Sequence, residues 1–186
     1  MDQRAHEPDR HRRRPGRQRP GRRCGPRHGP QLHQPARDAQ GHSLDAISAG
    51  GGVKGLASDA NNDIYYIDNT ASAGGVIRKV NLKGQVLLQF GYRGGRGAGY
   101  FENPSDLAVD PRNGDLYVVD TGNNRVQRFN RDGAFLSEFG GMGAGQGQFN
   151  QPQGIAVDRE GYVYVADSNN NRIQKFAPSK SVYAGF

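Results

Sequence analysis

The sequence has no tryptophan, a single cysteine and no histidine after residue 42. One cysteine, Cys24, excludes a disulfide within the chain. His6, His11, His28, His33 and His42 lie in the first 44 residues together with Cys24, so a Cys/His metal site in the rest of the chain is excluded. No apolar run approaches the roughly 20 residues of a membrane helix. No apolar core of about 7–15 residues follows the basic start, so no signal peptide is visible either, and the compartment stays open. Lysine is absent from residues 1–44, although eleven arginines and four acids there carry the whole formal net charge of +7. Residues 45–186 hold fourteen basic and fourteen acidic side chains and are neutral. The high overall charge is therefore not a property of the part with folding potential.

Residues 1–44 are rich in Arg, Pro, Gly and Gln, with "RHRRRPGRQRPGRRCGPRHGP" at their centre. So few apolar side chains cannot offset the entropy of ordering, and the segment is expected to be disordered. Three readings stay open for it: an arginine-rich arm that binds nucleic acid, a solvated linker, or a mis-assigned start to the natural chain. Residues 45–186 form the second domain.

From Gly50 onward the sequence repeats itself every 47–52 residues, as repeat architectures do. The first strand of each unit reads Gly55–Asp59, Asp106–Asp110 and Gly154–Asp158, with Ala57, Ala108 and Ala156 at one position. Turns at Asn61-Asn62, Asn113-Gly114 and Glu160-Gly161 lead to second strands "IYYID", "LYVVD" and "VYVAD". Third strands are expected at Arg125–Phe129 and Arg172–Phe176, and fourth strands at Val86–Phe90, Phe135–Phe139 and Val182–Phe186. Four short strands per repeating unit indicate an all-β fold, a β-propeller of four-stranded antiparallel blades at about 50–91, 100–140 and 148–186. The glycine-rich links Gly91–Pro104 and Gly140–Pro152 both end in Phe-x-x-Pro, placing Phe101 and Phe149 as plugs between blades.

Two stretches, "DTGNNRVQRF" and "DSNNNRIQKF", carry the clearest repeat. The aspartate ends one strand and the arginine begins the next, so Asp120 is expected to pair with Arg125 and Asp167 with Arg172 across a hairpin. These are structural pairs, with the intervening Asn residues supplying turn conformations. In the first unit Val76 stands in place of the arginine, which leaves the pairing of Asp68 open. In an up-and-down blade the loop between strands two and three and the link between blades emerge on one face. Arg93, Arg96, Asn123, Asn124, Asn169 and Asn170 are thereby brought to a candidate binding rim.

The segments "YFENPSDLAVDPRNGDLYVVDTGNNRVQRF" and "GQFNQPQGIAVDREGYVYVADSNNNRIQKF" resemble NHL repeats, a likeness that covers about three quarters of the chain. The resemblance implies closed rings of about six blades used as binding scaffolds, most often for protein partners and in some cases for RNA. Three blades make a partial or open propeller, completed either by further blades or by two copies pairing their open blade faces as a homodimer. Similar propellers include amidating lyases, lactonases and streptogramin-type lyases. Their acid–base or metal chemistry calls for histidine or clustered carboxylates. The blades have no histidine, and Asp59, Asp110 and Asp158 are placed to begin turns. The expectation is therefore a non-catalytic scaffold with no catalytic residues, metal or cofactor, the alternatives being RNA binding or a fragment of a propeller lyase or lactonase.

Overall fold

The computed structural model describes residues 46–49, 52–70 and 75–178. All regular structure among them is β, apart from two single 3-10 turns at Thr121–Asn123 and Ser168–Asn170. The first blade contains β1 (Val53–Ser58), β2 (Ile64–Asp68), β3 (Val76–Val80) and β4 (Val86–Phe90), hydrogen-bonded in that order. A short parallel ladder between β5 (Tyr92–Arg93) and β6 (Tyr100–Phe101) lies in the following link. The second blade contains β7 (Asp106–Val109), β8 (Leu116–Asp120), β9 (Arg125–Phe129) and β10 (Phe135–Gly140). The third contains β11 (Pro152–Val157), β12 (Val163–Asp167) and β13 (Arg172–Phe176). Every pairing within the blades is antiparallel. The expected segment 1–44 and the expected strand Val182–Phe186 lie outside the described residues.

The repeat seen in the sequence is a repeat of register. Ala57, Ala108 and Ala156 stand opposite Tyr65, Tyr117 and Tyr164. The first strands of the first and third blades begin earlier than expected, at Val53 and Pro152, and each carries an irregularity, at Gly55 or at Gln153.

Because side chains alternate across a strand, an apolar β8 supplies two seams at once. Leu116 and Val118 pack with Tyr65, Ile67 and Ile77 of the first blade. Tyr117 and Val119 pack with Val163 and Val165 of the third. This explains why every residue of β8 is buried, whereas β12 alternates between buried and half-buried positions.

Phe101 and Phe149 are fully buried, one in each seam. Phe101 lies 5.8 Å from the Phe129 ring, which in turn lies 5.0 Å from Phe90. Phe149, Phe176 and Phe139 repeat this trio in the next seam, at 5.7 and 4.6 Å. Close approach of these rings makes glycine obligatory where each link leaves its blade. A Cβ on Gly91 would meet Phe101 at 2.6 Å, and one on Gly140 would meet Phe149 at 2.6 Å. Both glycines also have positive φ, +95° and +115°.

Candidate binding rim

The two aspartate–arginine pairs are present, and they do more than close a hairpin. Asp120 has no exposed surface. One of its carboxylate oxygens accepts the Glu102 N–H at 2.7 Å. The other accepts Arg125 Nε at 2.8 Å, Asn123 Nδ2 at 2.9 Å and Gln127 Nε2 at 3.2 Å. A buried carboxylate is tolerable only with such partners. Arg125 turns its remaining donors to the link and to β10: Nη1 reaches the Arg96 carbonyl and Glu138 of β10, and Nη2 reaches the carbonyls of Gly97 and Tyr100. Gln127 completes the clamp, donating to the Tyr100 carbonyl and accepting the Gly99 N–H at 2.9 Å.

The third blade writes the same clamp again. Asp167 accepts the Asn150 N–H, Arg172, Asn170 and Gln174. Arg172 donates to the carbonyls of Ala144, Gly145 and Gln148, and Gln174 accepts the Gly147 N–H at 3.0 Å. Burial by itself would push the Asp167 carboxyl up; the hydrogen bonds from Asn150, Asn170, Arg172 and Gln174 outweigh it and hold the group below the usual carboxylate range. Arg125 is nearly buried, while the Arg172 side chain is 30% exposed.

In the first blade Asp68 finds a cation despite Val76. Arg78 Nη1 lies 3.0 Å from its carboxylate, and Thr70 N–H donates to it. Arg78 occupies the register position of Gln127, two residues beyond the arginine position. The open pairing is thus filled from the next residue on the same strand face.

The clamps place the sequence-derived rim residues unequally. Arg93, Arg96 and Asn169 are exposed. Asn123 and Asn170 are half-buried and turn inward: they donate to the Gly95 and Gly143 carbonyls as well as to the aspartates. Asn124 is buried and left-handed (φ 54°), and its side-chain oxygen accepts the Gln151 N–H across the seam. Its side chain is accordingly not part of the exposed rim. Gln127 and Gln174 escaped the sequence reading, although both repeat stretches write a glutamine at this position.

Bond-for-bond correspondence aligns the two links. The N–H groups of Gly94 and Gly143 donate to the carbonyls of Phe101 and Phe149. Arg125 and Arg172 reach the carbonyls of Arg96 and Ala144. On this frame Tyr92, Arg93, Arg96 and Tyr100 correspond to Gly141, Met142, Ala144 and Gln148. The Tyr92 and Tyr100 rings pack at 5.1 Å and are 63% and 41% exposed. Arg93 and Arg96 have no ion-pair partner among the described residues. Arg96 lines a cavity of about 280 Å³ with Asn123, Arg125, Glu138, Phe139, Gly140 and Gly141.

At the opposite edge several charged groups are paired. Asp59, Asp110 and Asp158 accept backbone N–H groups of their own turns. Lys79 pairs with Asp59 and Asp63 beside the Tyr65 ring, Arg128 with Asp115 beside Tyr117, and Lys175 lies over Tyr162. Burial opposes ionisation of Asp59 and Asp110, but hydrogen bonds from Lys79 and Arg112 and from backbone N–H groups hold both below the usual range.

Among known families, the NHL repeat matches residues 101–129 and 149–176. The chain is 41% identical over 61 residues to Protein brain tumor of Drosophila melanogaster, an alignment covering 33% of this chain and 6% of that protein. It is 34% identical over 92 residues to NHL repeat-containing protein 3 of Mus musculus, covering 46% and 26% respectively. The chain thus spans about a quarter or less of the length of these relatives. A crystal structure of a protein of unknown function from Bacteroides thetaiotaomicron VPI-5482 shares the fold, with a TM-score of 0.55 and 21% identity over 70% of this chain and 36% of that one. Two NHL repeats thus lie on adjacent four-stranded and three-stranded sheets of a β-propeller fold.

Proposed function

We propose that this chain is a non-catalytic binding scaffold and that its partner is a protein held along the rim of links and Asn-rich turns. The observation that carries this reading is the clamp. Glycine-rich links would ordinarily be mobile, yet each is tied at three backbone carbonyls and one N–H by an Arg–Gln pair, buried in the first clamp and half-buried in the second. Pre-organised loops lose less entropy on association. Exposed tyrosine and arginine are the residue types enriched at protein interfaces. RNA recognition would draw on the same side chains, but only Arg93 and Arg96 offer unpaired cations on the first link, and phosphate-driven binding draws on many more.

A photo-crosslinking residue at position 93, compared with one at position 132 in the turn at the opposite edge, tests the reading. A protein adduct at position 93 that is absent at position 132 is expected. An RNA adduct at position 93, or equal labelling at both positions, would overturn it.

A further inference from the structure

The geometry points to the first link as the docking site of an acidic, extended peptide segment belonging to that protein partner, an inference that rests on the scaffold reading above. The two links act as an internal control. Both make the same clamp from Asp, Arg and Gln, through backbone atoms of the link alone. Neither clamp uses the side chains of Tyr92, Arg93, Arg96 or Tyr100, because Gly141, Met142, Ala144 and Gln148 stand in the corresponding places of the second link. These four side chains are not part of the clamp, and they are of the types that recognise anionic groups.

The patch has a definite charge. Arg93 and Arg96 are exposed and unpaired among the described residues, and Glu102 is the only acid within the link. Glu138, which shares the cavity with Arg96, is engaged by Arg125 at 2.6 Å. The cavity of about 280 Å³ has room for a carboxylate side chain reaching Arg96, with Asn123 beside it. A guanidinium fork matches a carboxylate in a bidentate manner. Tyr92 and Tyr100 present a rigid aromatic surface next to it, suited to an apolar residue flanking the acid. Two free cations fit one or two carboxylates of a short motif, as in recognition of acidic motifs by arginine clusters. They fall short of the six to ten or so phosphate contacts typical of tight nucleic-acid binding.

The test is a random-peptide display selection against the full chain. A variant carrying the second link's side chains (Tyr92→Gly, Arg93→Met, Arg96→Ala, Tyr100→Gln) serves as the control, with its melting temperature checked against the parent. Fluorescence anisotropy then compares the best peptide, its Asp→Asn/Glu→Gln counterpart and a ten-residue oligouridine. The expected result is enrichment of peptides with two or more carboxylates, with binding weakened about tenfold or more by the swap and by Arg93→Gln/Arg96→Gln. The amide counterpart should lose binding to a similar extent. Enriched peptides that lack acids but still depend on the link would overturn the acidic assignment and leave the scaffold reading standing. No enrichment, or enrichment indifferent to the swap, would overturn both. Link-dependent oligouridine binding without acidic-peptide binding would assign the patch to nucleic acid instead.

Discussion

Above the clamp between the first and second blades stand Tyr92, Arg93, Arg96 and Tyr100; above the one between the second and third stand Gly141, Met142, Ala144 and Gln148. Beneath them the Asp–Arg–Gln sets make the same bonds to the link, and the phenylalanine plugs and the glycines that let the plugs approach are also shared. What two copies of a repeat hold in common is what the fold requires, and what differs between them is free to serve recognition. The division falls within a single stretch of about a dozen residues, so loop against core is too coarse a distinction here.

The largest effects are expected where both links depend on the same buried groups. Phe101→Ala and Phe149→Ala each empty a seam and should cost about 3–5 kcal/mol in denaturant unfolding; equal costs would confirm that the seams are equivalent. Asp120→Ala leaves Arg125 without its buried partner and should cost about 3–5 kcal/mol. Arg172→Ala should cost less, about 1–3 kcal/mol, because the Arg172 side chain is 30% exposed against 8% for Arg125. Double-mutant cycles for Asp120 with Arg125 and for Asp167 with Arg172 should be non-additive; strict additivity would sever the clamp from stability.

Acid should loosen the second clamp at a predictable point. The folded Asp167 carboxyl is held below its ordinary value, so its contribution is fully present above the unfolded value of about 4 and is lost as pH falls through the folded one. Asp59 and Asp110 act in the same direction at the opposite edge. Unfolding free energy followed from pH 7 to pH 2 should stay level as far as these groups are concerned, then fall below about pH 4, with the fall reduced in Asp167→Asn. The smallest effect is expected from the four-residue link swap, about 1–2 kcal/mol, because it removes the Tyr92–Tyr100 ring contact and places a glycine in β5.

The blades were legible from the sequence because register repeats as residue identity: Ala opposite Tyr, Phe in each link, Asp before and Arg after each Asn-rich turn. The aspartate–arginine pairs were legible for the same reason. The reach of each arginine into the link was not, since its acceptors are backbone carbonyls some 24 to 29 residues earlier in the chain, which carry no side-chain signature. Asn124 was misleading because an asparagine in a turn reads as surface, whereas its left-handed backbone turns the side chain across the seam to Gln151. Asp68 shows the reverse case, where a missing arginine hid a pair that Arg78 makes from a neighbouring register position.

Amide hydrogen exchange at Gly99 and Gly147 tests the shared clamp most directly. Both amides sit in exposed, glycine-rich stretches, and each donates to a clamp glutamine, Gln127 or Gln174. The clamp predicts slowed exchange at both, with Gln127→Leu releasing Gly99 alone and Gln174→Leu releasing Gly147 alone. Exchange of both at the rate of an unstructured chain in the parent protein would contradict it.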